Sequence, residues 1–129
     1  MPFGFDRDTH APIVVLWYRG QPHRAEVQAC LDALTEEFTS WPEPGHIAFD
    51  FVDVDGFDSA MRRLLASWRA KHARLIHDKV DAAAYVFNSR LTRGFLTAVD
   101  WLRPVDGLVR GFFGSLDEAV DWLRAKRAA

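Results

Sequence analysis

Short apolar runs alternate with amphipathic segments along the 129-residue chain. Four runs rich in β-branched and aromatic residues predict strands at about 13–18, 47–53, 82–88 and 108–113. These runs are almost continuously apolar rather than strictly alternating. They therefore predict a sheet that is well covered on its faces.

Between these runs, apolar residues recur with the spacing of an amphipathic helix. The stripes predict four helices, at about 27–38, 61–75, 91–102 and 116–123. The alternation of strand and helix predicts a single α/β domain with right-handed crossovers. Its sheet is expected to have four or five strands, mostly parallel.

The same periodicity predicts which residues are largely buried. They are Leu64, Trp68, Phe95, Leu116 and Leu123. Local signals mark the ends of the later helices. The sequence from Ser115 to Glu118 has the spacing of a capping box, and Pro104 with Gly107 is expected to end the third helix.

Composition limits the classes of function. The length fits one domain, 1–129, of which 1–10 is treated as an N-terminal extension. The formal net charge of −2 gives no general attraction to nucleic acid or to an anionic membrane. We find no signal peptide and no apolar run of membrane-spanning length, and a single cysteine excludes an internal disulfide. The expected location is the cytoplasm.

Candidate metal and catalytic residues form no recognised pattern. Cys30 and His72 lie on apolar helical stripes and are expected in the core or at its boundary, while His46 is expected to be solvated. The acidic segment 50–58 lacks the glycine and glutamate positions of a calcium loop. We therefore expect no metal, no cofactor and no catalytic residues. An enzyme without a short motif remains a minor alternative.

The segment 46–65 carries a motif that resembles the STAS family of SpoIIAA-like anti-sigma-factor antagonists. That pattern is an apolar strand, an acidic turn and then Asp-Ser-Ser-Gly opening a helix. Here a strand from His46 leads through an acidic turn to Asp58 and Ser59 without a gap. The C-terminal half is also similar, and the resemblance covers about residues 11–127.

The resemblance implies a SpoIIAA-like fold and a non-enzymatic module of bacterial signalling. Its partner would be a protein, such as a kinase, an anti-sigma-like factor or another regulator, and a homodimer is an open alternative. The contact or regulatory surface would be the turn and helix start, with Asp53, Asp55, Asp58, Ser59, Arg62 and Arg63.

One position departs from the family pattern. The second serine, which accepts phosphate in the phosphorylated members, is Ala60 here, and Ser59 is the only hydroxyl left in the motif. We therefore expect constitutive partner binding rather than the usual kinase switch. The alternative function is a SEC14-like binder of a small apolar ligand or lipid. The five tryptophans and ten phenylalanines would line its pocket, although aromatic residues at helical spacing usually form the core.

Overall fold

The structure is a computed structural model that describes residues 2–56, 58–88 and 109–128. Five strands are present in these ranges: β1 (Phe3–Asp6), β2 (Val14–Gly20), β3 (Gly45–Val54), β4 (Val80–Val86) and β5 (Val109–Phe113). The four described helices are α1 (Arg24–Ser40), α2 (Ser59–Lys71), α3 (Ala73–Lys79) and α4 (Leu116–Ala128).

The strands form one sheet in the order β1-β2-β3-β4-β5. Strands β2 to β5 run parallel to one another, with Val14 beside Ile47 and Ala48 beside Ala84 in register. The mixed α/β fold and the mostly parallel sheet are therefore confirmed. The four predicted strands are all present, shifted by a few residues at their ends.

The N-terminal segment contributes a strand that the sequence analysis did not predict. Residues of β1 pair antiparallel with β2, from Phe3 opposite Tyr18 to Asp6 opposite Val15. Part of the predicted N-terminal extension 1–10 is thus β1, which forms an edge of the sheet. The run is only four residues long, which is too short for a clear strand pattern.

The helices divide the core into two layers. Helices α1, α2 and α3 cover one face of the sheet, where residues such as Leu34, Phe38 and Trp68 pack against Ile47 and Phe49. Helix α4 covers the opposite face, where Ala119, Val120 and Leu123 pack against small strand residues. Alanines at 48, 82 and 84 let α4 approach that face closely. Both faces are covered, which explains the continuous apolar strands.

The second predicted helix is interrupted. The stripe at 61–75 is divided between α2 and α3 at His72, whose backbone leaves the helical region (φ −110°, ψ 18°). The ring nitrogen Nδ1 of His72 lies 2.9 Å from the carbonyl oxygen of Trp68 and stabilises this break. The side chain of His72 is half-buried, as expected. The predicted helix at 91–102 and its end at Pro104 and Gly107 lie outside the described residues.

The predicted core is confirmed for Trp68 and Leu123, which are 9% and 0% exposed. Leu64 and Leu116 are only half-buried and pack at the margins of the two layers. Phe95 lies outside the described residues. Cys30 is buried, and burial raises the pKa of its thiol to about 12.

The expectation that His46 is solvated is wrong. His46 is the second residue of β3. Its side chain lies on the α4 face of the sheet and is only 6% exposed. Burial lowers its pKa, partly opposed by a hydrogen bond with the backbone of Leu123. A turn before a strand gave no sign that a later helix would cover this position.

The Ser115 hydroxyl accepts from the Glu118 N–H at 3.3 Å, one of the two bonds of the predicted capping box.

Candidate functional site

The carboxyl ends of β2 and β3 lie side by side at one edge of the sheet. Arg19 of β2 pairs in register with Asp53 of β3, and both residues are exposed. The N–H of Asp55 donates to the carbonyl oxygen of Gly20 at 3.1 Å. Gly20 has φ +84°, a conformation that glycine adopts without steric cost. In open parallel sheets, ligands commonly bind beyond the carboxyl ends of the strands.

The end of β3 is also held from the β4 side. The side-chain amide of Asn88, two residues after β4, donates to the carbonyl oxygens of Val52 at 2.9 Å and Val54 at 3.1 Å. These bonds continue the attachment of β3 beyond the regular ladder. The turn that follows therefore begins from a fixed position.

The N-terminus of α2 is exposed and is capped by a carboxylate. Oδ1 of Asp58 accepts from the N–H of Met61 at 2.8 Å, which makes Asp58 the N-cap. Ser59 and Ala60 follow as exposed residues, whereas Met61 is buried and anchors the first turn. Because Asp58 provides the cap, the Ser59 hydroxyl is not required for it.

Arg62 ends the first turn of α2, and Arg63 begins the second. Arg62 is half-buried and Arg63 is exposed, and the N–H of Arg62 donates to the carbonyl oxygen of Asp58 at 3.0 Å. Of the six predicted site residues, Asp53 thus lies at the end of β3, Asp55 just beyond it, and the other four at the start of α2. The structure also places Arg19 beside Asp53, which the sequence analysis did not single out. Their role in binding remains a prediction.

A half-buried carboxyl group lies within β3, close to this edge. Burial is the main cause that raises the pKa of Asp50, and the charge of Asp53 raises it further. The N–H of Val52 and the charge of Arg19 act in the opposite direction. The sequence analysis considered Asp50 only as part of a failed calcium loop. An acidic residue between two phenylalanines of an apolar strand was the signal that pointed to it.

A partly enclosed apolar cavity lies beneath α1, α2 and α3. Its volume is about 90 Å³, and its walls come from β2, β3 and β4 and from the three helices. Phe49 and Tyr85 stack at a centroid distance of 5.0 Å on the sheet side, and Trp68 lines the helix side. Of these three aromatic residues, Trp68 was predicted to be part of the core. All three are buried, and they also line the cavity.

Arg69 is the one charged residue among the described residues that line this cavity. Arg69 belongs to α2 and is half-buried. Its Nη2 atom is buried and has no hydrogen-bond partner within the described part of the chain. The sequence analysis did not single out Arg69. An arginine directly after a core tryptophan was the available signal.

A hydrogen bond joins the two helices above the cavity. The indole N–H of Trp68 in α2 donates to the hydroxyl of Thr35 in α1 at 2.9 Å. Thr35 in turn donates to the carbonyl oxygen of Leu31 at 3.0 Å. The bond satisfies the buried indole and fixes the orientation of the ring, because Trp68 cannot rotate without leaving a polar group unpaired.

Within residues 2–56, 58–88 and 109–128, no helix combines the length and the apolar character that a membrane span requires. No group of three or more His, Cys, Asp or Glu residues is arranged to hold a metal ion in the same ranges.

Comparison with known proteins identifies the fold. No family model matches the chain, and no curated protein does. An uncharacterised protein from Shewanella loihica, from the DUF3478 family with a SpoIIAA-like fold, superimposes with a TM-score of 0.66 at 16% identity, over 94% of this chain and 91% of its own. An anti-sigma factor antagonist from Mycobacterium paratuberculosis gives 0.65 at 19% identity, over 95% and 92%. The chain has a SpoIIAA-like fold, as the sequence resemblance implied.

Proposed function

We propose that this SpoIIAA-like domain is a non-enzymatic regulatory module that binds a protein partner through the β3–α2 surface. This surface consists of Asp53, Asp55, Asp58, Ser59, Arg62 and Arg63. The observation that carries the proposal is the position of Ser59. It is the exposed first residue of α2, and its hydroxyl is not needed for the cap that Asp58 makes.

The physical chemistry of the surface suits a regulated or selective contact. Free N–H groups and the positive end of the helix dipole lie beside Ser59. Exposed carboxylates at Asp53 and Asp55 and the guanidinium of Arg63 give the surface charges of both signs. Such a mixture of charges contributes more to the selection of a partner with complementary charges than to the binding affinity.

Binding would be constitutive in this protein. Ala60 stands where the family motif has its acceptor serine, and it has no hydroxyl to modify. Any added negative charge at Ser59 would oppose a partner packed on this surface by steric and electrostatic repulsion.

The similarity to a protein described as an anti-sigma factor antagonist supports a protein partner. We place that partner among kinases, anti-sigma-like factors and comparable regulators, and we place the complex in the cytoplasm. Self-association through the same surface is the competing form of this proposal.

The test compares two serine-to-aspartate variants of the same helix. Ser59→Asp adds a charge on the proposed surface, and Ser67→Asp adds the same charge at an exposed position two turns further along α2. Proteins retained from native extract by the wild type are identified by mass spectrometry. Affinities of the purified partner are then measured for all three proteins.

We expect Ser59→Asp to weaken the partner's affinity about tenfold or more, the scale of a mismatched interfacial charge. Ser67→Asp should leave the affinity unchanged, and circular dichroism should show that both variants are folded. If Ser59→Asp keeps the same affinity, or if the wild type retains no protein, this helix start is only a cap.

A further inference from the structure

Arg69 is half-buried, and one nitrogen of its guanidinium is buried in an apolar environment. Nη2 of Arg69 is buried without a hydrogen-bond partner in the described part of the chain, and Arg69 lines a cavity whose other described walls are uncharged. A buried donor without a partner costs free energy, and a charged donor costs more than a neutral one. An anion in the cavity would relieve that cost.

The cavity fixes the size of what it can hold. At about 90 Å³ it is smaller than the engineered cavity of about 150 Å³ that binds benzene. It is partly open, so a short apolar tail can be enclosed while the remainder of a molecule lies nearer the surface. The aromatic rings of Phe49, Tyr85 and Trp68 provide the contact area for such a tail.

We propose that this cavity binds a short-chain apolar carboxylate, with its tail against the aromatic walls and its carboxylate paired with Arg69. A guanidinium matches a carboxylate through two parallel N–H···O bonds. One arginine balances one negative charge. A doubly charged headgroup would lack a second cation among the described lining residues.

The site is separate from the β3–α2 surface. The cavity lies between the sheet and helices α1 to α3, and none of the six residues of that surface lines it. Ligand binding and partner binding can therefore be measured independently. The failure of one proposal would leave the other intact.

The experiment uses three probes with the same six-carbon tail: hexanoate, hexan-1-ol and hexylamine. Each is titrated into the full chain and followed by isothermal titration calorimetry and by chemical shifts of the cavity residues. We expect hexanoate to bind about tenfold more tightly than hexan-1-ol, because of its charged hydrogen bonds. Hexylamine should bind most weakly. Equal binding of the three probes, or no binding of hexanoate, would overturn the proposal.

Two arginine variants identify the headgroup site. Arg69→Met keeps much of the apolar stem and removes the charge. The affinity of this variant for hexanoate should therefore be about tenfold lower than that of the wild type, and similar to the affinity of the wild type for hexan-1-ol. Arg74→Met is the matched control, an exposed arginine near the start of α3 that does not line the cavity. Hexanoate affinity unchanged in a folded Arg69→Met protein would show that the carboxylate is not held there.

A third variant tests the location of the tail without touching the charge. Ala83 on β4 is 1% exposed and lines the cavity, so Ala83→Ile reduces its volume with a residue that suits a strand. We expect a melting temperature at least equal to that of the wild type and a loss of hexanoate binding of tenfold or more. A folded Ala83→Ile protein that binds hexanoate normally would place the tail elsewhere.

Discussion

The side chains of Arg7 and Glu37 form a bidentate ion pair that fastens the N-terminal segment to α1. Nε of Arg7 lies 3.0 Å from Oε1 and 3.1 Å from Oε2 of Glu37. The indole N–H of Trp41 donates to the same carboxylate at 3.2 Å. The Glu37 side chain is 7% exposed, whereas that of Arg7 is 55% exposed. Nη2 of Arg7 also donates to Oε2, so Glu37 is a buried acceptor that three donor atoms keep ionised.

These contacts predict an acid-sensitive stability. Burial alone would raise the pKa of Glu37, but the hydrogen bonds from Arg7 and Trp41 and the charge of Arg7 lower it overall, below its ordinary value of 4.5. The stabilisation is complete above that value and is lost as pH falls through the folded-state pKa. Glu37→Gln should lower the free energy of unfolding at neutral pH by about 1–3 kcal/mol.

The measurement is urea unfolding between about pH 3 and pH 7. Glu37→Gln should flatten the acid limb of the stability curve, while Glu36→Gln, an exposed neighbour, should leave it unchanged. A full acid limb in Glu37→Gln would show that other carboxyl groups cause it.

His46 predicts a second pH dependence in a different range. Burial lowers its pKa below the ordinary 6.5, and the charge of Arg127 lowers it further, while the Leu123 backbone and Asp81 oppose this. The unfolded chain therefore binds the proton first, and stability declines as pH falls below about 6.5. His46→Leu should remove this part of the slope in unfolding experiments between about pH 5 and pH 7. His23→Leu, at an exposed histidine, is the control. An unchanged slope in His46→Leu would contradict the assignment.

The cap of α2 can be separated from its function. Asp58→Ala removes the acceptor for the Met61 N–H and should cost about 0.5–2 kcal/mol, whereas Asp58→Asn should retain most of the cap. Ser59→Ala should change stability by less than about 0.5 kcal/mol, as for an exposed surface residue. Thermal or denaturant unfolding measures these changes in the free energy of unfolding. A larger loss of stability in Ser59→Ala than in Asp58→Ala would show that Ser59, and not Asp58, provides the cap.

The two leucines that the sequence treated as equivalent should differ. Leu123 is 0% exposed between α4 and the sheet, so Leu123→Ala should cost about 2–5 kcal/mol. Leu64 is half-buried at the margin of α2, and Leu64→Ala should cost about 1–2 kcal/mol because less apolar area is lost. Unfolding midpoints measured under one set of conditions test the order, which fails if Leu64→Ala is the more damaging variant.

The sequence by itself determined the class of fold. Continuous apolar strands and helical stripes are local patterns in the sequence. A strand that is apolar at every position indicates that both faces of the sheet are buried. For the same reason Trp68 and Leu123 were predicted correctly from periodicity alone. The exposed start of α2 could also be predicted, because Asp58 is a cap residue before an apolar stripe.

Only the tertiary structure decided the remaining features, because they depend on residues far apart in the chain. The strand β1 becomes regular by pairing with β2, and His46 becomes buried because α4 returns to the sheet some seventy residues later. The cavity lies between helices α1 to α3 and strands β2 to β4, whose side chains do not fill the space between them. The unpaired Nη2 of Arg69 belongs to a residue that lines this cavity. Packing density is a property of the assembled layers, and no local pattern reports it.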